Sequence, residues 1–329
     1  MTAKHPNIGV VAIGRNEGER LKRCLLSILS QEVPVVYVDS GSSDGSVAFA
    51  QAHGVPVVTL DMSIPFTAAR GRNEGYAELI SRFPDLEFVQ FLDGDCALDP
   101  EWIAAAVAAL NEDAHLGVVT GWRSELYPDA SVYNAICDLE WHAPANPIEA
   151  CGGDMAIRCE AFEAAGWFNE QVVAAEDDDF CIRVGQKGFS LLRFPLNMTY
   201  HDADMHSFGQ WWKRAIRAGH GFAQVGDLHS GYFAAPRKRV LIFGAVLPIA
   251  AFIGIIVSKP LFWCVIALYV GSFVRTAYKQ FKSHSSLTRR QSLHHSVLMV
   301  ISKFPNLIGF CQYYLRKMRG DAMQIIEYK

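Results

Sequence analysis

Five short apolar runs bounded by turn residues punctuate the first part of the chain: Asn7–Ile13, Val35–Asp39, Val55–Leu60, Phe88–Asp93 and Gly117–Gly121. Their brevity and β-branched content suit buried strands of a mainly parallel sheet. Between them lie stretches with helical character, Glu17–Ser30, Ser46–His53, Thr67–Phe83 and Pro100–Leu110. The last has Asp99 as a predicted N-cap and Pro100 in its first turn. A βαβα order predicts an open α/β sheet with helices on both faces. Ligands of such sheets bind beyond the carboxyl ends of the strands.

The pattern changes near Tyr232. After Pro236-Arg237-Lys238-Arg239, Val240–Val257 is uncharged and apolar, Ser258-Lys259-Pro260 interrupts, and Leu261–Val274 is apolar again. Each run is shorter than the roughly 20 residues of a spanning helix. Together they predict a helical hairpin bent at Pro260, where helix hydrogen bonding breaks. Both flanks are basic, Pro236–Arg239 before and Arg275–Arg290 after, which places both ends in the cytosol by the positive-inside rule. A third piece, Val297–Leu315, contains Lys303 and Pro305 and reads as an interfacial amphipathic helix. The predicted division is residues 1–232 as a catalytic domain and 233–329 as a membrane-associated helical region.

Composition narrows the classes. Of 329 residues, 50% are hydrophobic and 19% charged, and the formal net charge is −4. That balance offers no whole-chain field for nucleic acid. The eight cysteines, Cys24, Cys96, Cys137, Cys151, Cys159, Cys181, Cys264 and Cys311, form no CxxC pair, which argues against a structural zinc site and for buried free thiols. Met1–Asn7 is polar and lacks the apolar core of a signal peptide.

Four clusters carry candidate chemistry. Asp39 ends a strand and opens Asp39-Ser40-Gly41-Ser42-Ser43-Asp44-Gly45-Ser46. Turn and cap preference explains Ser43, Asp44 and Ser46 but not a carboxylate at the strand tip. The turn after the first strand, Ile13–Gly18, is not GxGxxG, and no Walker A sequence exists, so neither NAD nor a P-loop is indicated. Asp93-Gly94-Asp95 ends another strand; in extended backbone the two carboxylates share a face, and their repulsion calls for a cation. Mg²⁺ and Mn²⁺ take such oxygen ligands together with phosphates. Glu176-Asp177-Asp178-Asp179 opens a helix, more acid than the helix dipole needs, so one is a candidate base. Ala69-Arg70-Gly71-Arg72-Asn73-Glu74-Gly75 offers a guanidinium to a diphosphate, and otherwise reads as an exposed basic helix start.

Taken in order, these segments resemble the family 2 glycosyltransferases of the bacterial, membrane-associated type, with the GT-A fold. The resemblance covers about residues 7–225 and includes Val10-Val11-Ala12-Ile13-Gly14-Arg15-Asn16-Glu17, Gly152-Gly153-Asp154-Met155-Ala156-Ile157-Arg158 and the later His201. It implies Asp39 on the base, probed first as uracil, Arg70 at the diphosphate, Asp93 at ribose or sugar, Asp95 and His201 at a divalent metal, and Asp177 as catalytic base. Asp154, Glu176, Trp211 and Trp212 are candidates for the acceptor side. The donor implied is a nucleotide-diphosphate sugar, foremost a UDP-sugar. The acceptor implied is a hydroxyl of a lipid-linked glycan or a lipid, reached from the cytosolic face of the inner membrane.

The chemistry fits these parts. Charge grows on the departing diphosphate, where a metal and a guanidinium stabilise it, and one carboxylate takes the acceptor proton. A single attack implies inversion. Processive synthases of this family carry Gln-x-x-Arg-Trp; here Gln210-Trp211-Trp212-Lys213-Arg214 has the letters out of order, which favours a single transfer. Two alternatives are a nucleotidyltransferase, for which Ile13–Gly18 makes a poor triphosphate loop, and a catalytically inactive membrane module that binds sugar or nucleotide.

Overall fold

The computed structural model describes residues 7–283 and 288–326. The polar start before Asn7, and part of the basic stretch after Arg275, lie outside the described residues. The chain divides into two compact units, Met1–Tyr127 with Cys137–Ala203, and Pro128–Ile136 with Asp204–Lys329.

The first unit is built on strands β1 (Ile8–Gly14), β2 (Val35–Asp39), β3 (Val57–Thr59), β4 (Phe88–Asp93), β5 (Cys96–Leu98), β6 (Leu116–Glu125), β7 (Met155–Arg158) and β8 (Ser190–His201). They form one sheet in the order β3-β2-β1-β4-β7-β6-β8-β5. The β3-β2-β1-β4 half is parallel, β7 runs antiparallel to both neighbours, β6 and β8 are parallel, and β5 is antiparallel to β8. Each strand expected from the apolar runs is present within it. The antiparallel β7 and β5 make the sheet mixed.

Helices α1 (Glu19–Leu29), α2 (Ser46–Ala52), α3 (Ala68–Arg82), α4 (Trp102–Glu112), α5 (Val132–Trp141), α6 (Cys159–Ala164) and α7 (Glu176–Gln186) follow. The alternation along β1 divides the core. Ile8, Val10 and Ala12 pack with Leu21, Leu25 and Ile28 of α1 and with Trp102 and Ala106 of α4. Val11 and Ile13 pack with Tyr76 and Leu79 of α3 and with Phe162 and Phe180 of α6 and α7. Both faces are therefore covered, as side chains alternating across a pleated strand require. Gly75 lets α3 approach the sheet: a Cβ there would lie 2.3 Å from Val11 Cγ1. Helix α4 starts at Trp102 rather than Pro100. Asp99 instead closes a turn, its Oδ1 accepting from the Glu101 N–H at 3.0 Å.

The second unit holds α8 (Phe208–Leu228), α9 (Ala234–Leu241), α10 (Leu247–Val257), α11 (Lys259–Ser283), α12 (Arg289–Ile301) and α13 (Lys303–Arg319). A π-helical segment, Ile242–Val246, joins α9 to α10. Two helices result that are long and apolar enough to cross a membrane, Ala234–Val257 and Lys259–Lys282, each of 24 residues. The hairpin thus has longer arms than the apolar runs alone indicated, since the basic flanks continue both helices. The chain reverses at Ser258, which is extended. Pro260 lies in the first turn of α11, where its missing N–H is not needed. Gly254 permits the close return, because a Cβ would lie 2.6 Å from Phe262 N.

One sequence expectation needs correction here. The piece Val297–Leu315 is not one interfacial helix. It turns at Ser302 into α13, which buries Pro305, Asn306, Gly309, Phe310 and Tyr313. Its partner is α8: a Cβ on Gly309 would lie 1.9 Å from Ile216 O, and one on Gly219 would lie 2.0 Å from Asn306 O. Helices α8 and α13 belong to the same compact unit.

Candidate active site

The parallel half of the sheet brings the ends of β1, β2 and β4 to one edge. Asp39, at the end of β2, is buried. Its Oδ1 accepts from Tyr37 Oη at 2.8 Å, and its Oδ2 accepts from the N–H groups of Gly41 and Ser42 at 3.0 and 2.9 Å. The loops after β1 and β2 are tied together: Gly18 N–H donates to Asp44 Oδ2 at 2.7 Å, and Ser43 N–H to Asn16 Oδ1 at 2.8 Å.

Asp93 ends β4, Gly94 turns the chain, and β5 begins at Cys96. The tight turn is set by Gly94 N–H donating to Ile13 O at 2.7 Å, with no room for a side chain, as a Cβ would sit 3.0 Å from that oxygen. Asp93 and Asp95 are therefore not two positions of one extended segment, and they have different partners. Asp93 receives Arg72 Nη2 at 2.8 Å and Arg123 Nη2 at 3.4 Å. Asp95 Oδ2 lies 3.3 Å from His201 Nε2. The pairing of β5 with β8 places Cys96 opposite His201, which brings the histidine to this turn.

Arg72 is the hub of the charged network. Fully buried on α3, it donates to Asp93 and, through Nη1, to Glu176 Oε1 at 2.9 Å. Gly153 makes way for it, because a Cβ there would lie 2.0 Å from Arg72 Nη2. Arg123, on β6, joins Asp93 to the buried Asp154, whose Oδ2 is 2.7 Å from Arg123 Nη2. Asp154 Oδ1 in turn accepts the Asp93 N–H at 2.8 Å. Burial would push the Asp93 carboxyl up, but Arg72 and Arg123 outweigh it and hold Asp93 below the usual carboxylate range. Asp154 is pushed above that range by burial, against the pull of Arg123. The physical reason is the second guanidinium, which Asp93 has and Asp154 lacks.

Helix α7 opens after Ala175, a non-glycine residue at φ 60°. Its four acids are handled separately. Glu176 is paired with Arg72, Asp179 with Arg183 at 2.8 Å, and the Asp178 N–H donates to Asp177 Oδ1 at 3.0 Å. Asp177 is half-buried beside Gly152; a Cβ on that glycine would be 3.9 Å from Asp177 Oδ2 and 4.0 Å from Arg123 Nη2. Burial, then the like charges of Glu176 and Asp178, push the Asp177 carboxyl well above its ordinary value. A carboxylate poised closer to neutral pH is what a general base needs.

A family profile described as "Glycosyl transferase family 2" matches residues 10–164, the segment that supplies Asp39, Arg72, Asp93, Asp95, Arg123 and Asp154. Over that segment the chain resembles the family 2 glycosyltransferases. The chain is similar to glycosyltransferase AglE of Haloferax volcanii, at 24% identity over 240 residues that cover 68% of this chain and 76% of AglE. Its fold is that of the mannosyltransferase PcManGT of Pyrobaculum calidifontis, solved in complex with GDP-Man and Mn²⁺, at a TM-score of 0.54 and 17% identity over 96% of this chain and 88% of that one. It is also that of TarS residues 1–349 of S. aureus, at a TM-score of 0.50 and 15% identity over 95% and 92% of the two chains. These likenesses establish the GT-A fold. The transferase reading, with a nucleotide-sugar donor, stands over the nucleotidyltransferase alternative.

Of the residues expected at the site of this glycosyltransferase, Asp93, Asp95, Asp154, Glu176 and His201 are joined by the contacts above, and Asp177 adjoins them at Gly152. Arg70 is placed differently from Arg72. Its Nη1 donates to the carbonyls of Asp61 and Ile64 at 2.9 and 3.0 Å, so it holds the loop before α3. The helix start that carries both arginines is buried, not an exposed basic turn. Trp211 and Trp212 lie on α8 in the second unit, where both pack against Phe208, at ring-centroid distances of 5.4 and 5.5 Å, and Trp211 is buried. Sequence reasoning missed Arg72, Arg123, Glu125 and Trp141. Arg123 and Glu125 were discoverable in part: Trp122-Arg123-Ser124-Glu125 continues the apolar run of β6, and strand period puts Arg123 and Glu125 on one face.

Proposed function

We propose that this protein catalyses a single, inverting sugar transfer from a nucleoside-diphosphate sugar to a hydroxyl of a lipid-linked glycan or lipid, on the cytosolic face of the inner membrane. The observation that carries the reading is the Asp95–His201 pair, 3.3 Å apart at the end of the parallel strands. Around it stand Asp93, Asp154, Glu125, Glu176 and Asp177 against the guanidiniums of Arg72 and Arg123. So many carboxylates against two permanent cations suit a site that takes a divalent cation.

The donor set fits Mg²⁺ or Mn²⁺. Among the described residues, the group able to hold a metal is Asp95, Cys96 and His201. Burial keeps the Cys96 thiol protonated, and its S–H points to Asp95 Oδ1 at 3.6 Å. That leaves an oxygen and a nitrogen as ligands, with the diphosphate completing the shell. When bound, the cation supplies charge stabilisation to the leaving diphosphate. PcManGT, whose fold this chain shares, binds Mn²⁺ and GDP-Man.

The chain's own residues do the rest. Asp39 receives the base of the donor, and uracil is the first candidate. Arg70 serves the diphosphate side and fixes the 61–64 loop there. Asp93 meets ribose or sugar, its charge maintained by Arg72 and Arg123. Asp177 Oδ2 takes the proton of the acceptor hydroxyl as its oxygen attacks the anomeric carbon from the face opposite the diphosphate, so configuration inverts. Asp154 and Glu176 hold the arginines that frame the acceptor side. Transfer ends after one sugar.

Membrane attachment is assigned to the second unit. Phe252, Ile255, Ile256, Val257 and Trp263 of the hairpin are exposed. Charge is segregated too: of the 30 Lys and Arg, 17 lie in the second unit, against only 5 of the 34 Asp and Glu. A basic unit with an exposed apolar hairpin suits the anionic cytosolic leaflet. The test is incubation of the purified protein with lipid extract and a panel of UDP- and GDP-sugars, with product mass spectrometry and NMR of the anomeric centre. A retained anomer refutes inversion; a ladder of products refutes single transfer; no product with any donor and lipid refutes the acceptor class.

A further inference from the structure

We propose that Glu125 is the positioning residue for His201, fixing its imidazole in the tautomer that offers Nε2 to a divalent cation beside Asp95. This rests on the reading of Asp95 and His201 as metal ligands. The sheet sets His201 in a row across three strands, opposite Cys96 of β5 on one side and Glu125 of β6 on the other. Its two ring nitrogens face different carboxylates. Nε2 lies 3.3 Å from Asp95 Oδ2, and Nδ1 lies 3.7 Å from Glu125 Oε2. Nδ1 is buried and makes no hydrogen bond, which is costly for a polar atom.

A neutral imidazole has one N–H and one lone pair. A proton on Nε2 would point at Asp95 and block a cation there. A proton on Nδ1 points at Glu125 and leaves the Nε2 lone pair directed at Asp95. The Glu125 side chain, fully buried, is held ready for this. Its Oε1 accepts the Tyr127 N–H at 3.1 Å, its Oε2 accepts the Ala203 N–H at 3.0 Å, and its own N–H donates to Asp138 Oδ1 at 2.9 Å. The Trp141 ring stands edge-on to the imidazole, centroids 4.4 Å apart at 74°, and limits its rotation. A shift of well under 1 Å brings Nδ1 within hydrogen-bond reach of Glu125. Carboxylates that orient a metal-binding histidine in this way also raise its basicity as a ligand.

The test uses the full-length protein in detergent and Mn²⁺ as the probe, read by electron paramagnetic resonance, alone and with UDP or GDP. Glu125→Gln keeps length and shape but removes the charge that holds the Nδ1 proton. Mn²⁺ affinity is expected to fall by about 10- to 100-fold, as for other orienting partners of metal ligands. Affinity within about threefold of wild type, while wild type exceeds His201→Ala, overturns the role of Glu125 and leaves the metal reading intact. Equal affinity in wild type and His201→Ala overturns both. Ring-¹⁵N spectra of the wild type, with His201 assigned by its absence in His201→Gln, test the tautomer directly and do not depend on the folding of any Glu125 variant. Nδ1–H is expected with and without Mg²⁺; Nε2–H overturns the inference, whereas a purely structural Glu125 would leave the tautomer unset.

Discussion

Arg72→Met tests the charged network that organises the site. Methionine keeps the bulk of the side chain and removes the guanidinium. Arg72 and Glu176 have side-chain exposures of only 2% and 6%, so the substitution breaks a buried ion pair; Asp93, at 30%, retains some solvent and keeps Arg123. Removing one partner of a buried pair costs about 3–5 kcal/mol, and the Glu176 arm alone accounts for that range. For a unit of this size each kcal/mol moves the midpoint by about 2–4 °C, so a fall of roughly 6–20 °C is expected. Circular dichroism melts of the detergent-solubilised protein would measure it. The pH dependence has a definite sign. In the wild type Asp93 is held below the usual range, so its contribution is present at neutral pH and lost as pH falls through that lowered value. In the variant, Asp93 loses the first of the two guanidiniums that hold it low, so this contribution is smaller and less of it is lost as pH falls. The gap between the two proteins should therefore hold from pH 7 to about 5 and narrow as pH falls below about 4. Adding Glu176→Gln should recover part of the loss. A change below about 1 kcal/mol, or a gap that widens in acid, would refute the assignment of Arg72 as a desolvated hub.

Asp177→Asn is expected to lower transfer by about 10²–10⁴-fold, as loss of a general base does, with donor binding by calorimetry unchanged; near-normal turnover would move the base to Glu176 or Asp154. Because Asp177 is raised above the ordinary carboxylate value, wild-type kcat/KM should decline with falling pH along a limb set above about 4, where an unperturbed Asp would place it. Asp39→Asn should weaken nucleotide binding while Mn²⁺ affinity stays near wild type, and equal affinity for UDP and GDP in mutant and wild type would remove Asp39 from the donor site. For the hairpin, cysteine probes near Arg239 and near Lys282 should both resist an impermeant thiol reagent in intact spheroplasts; labelling at Lys282 alone would replace the hairpin with a single span.

The elements and the order of chemistry were legible in the chain because they depend on local pattern. The apolar runs of β1, β2 and β4 have the period and length of covered strands, and the carboxylates at their tips follow from strand ends meeting ligands at one edge of an open sheet. The same local reading fails where distant segments set the outcome. Nothing near Ala69–Gly75 tells which arginine meets Asp93 and Glu176. Arg72 does because Gly153, 81 positions later in the chain, leaves space for its guanidinium, while Arg70 turns back to carbonyls six and nine residues away. Likewise Val297–Leu315 reads as one interfacial helix on its own, but Gly219 and Gly309 allow α8 and α13 to approach so closely that the α13 face carrying Asn306, Gly309, Phe310 and Tyr313 is buried in packing. Composition and period determined the sheet, the apolar hairpin and the identity of the acids. Tertiary structure decided which guanidinium each acid meets, and that His201 stands between Asp95 and Glu125, because strand register couples residues that no sequence spacing relates.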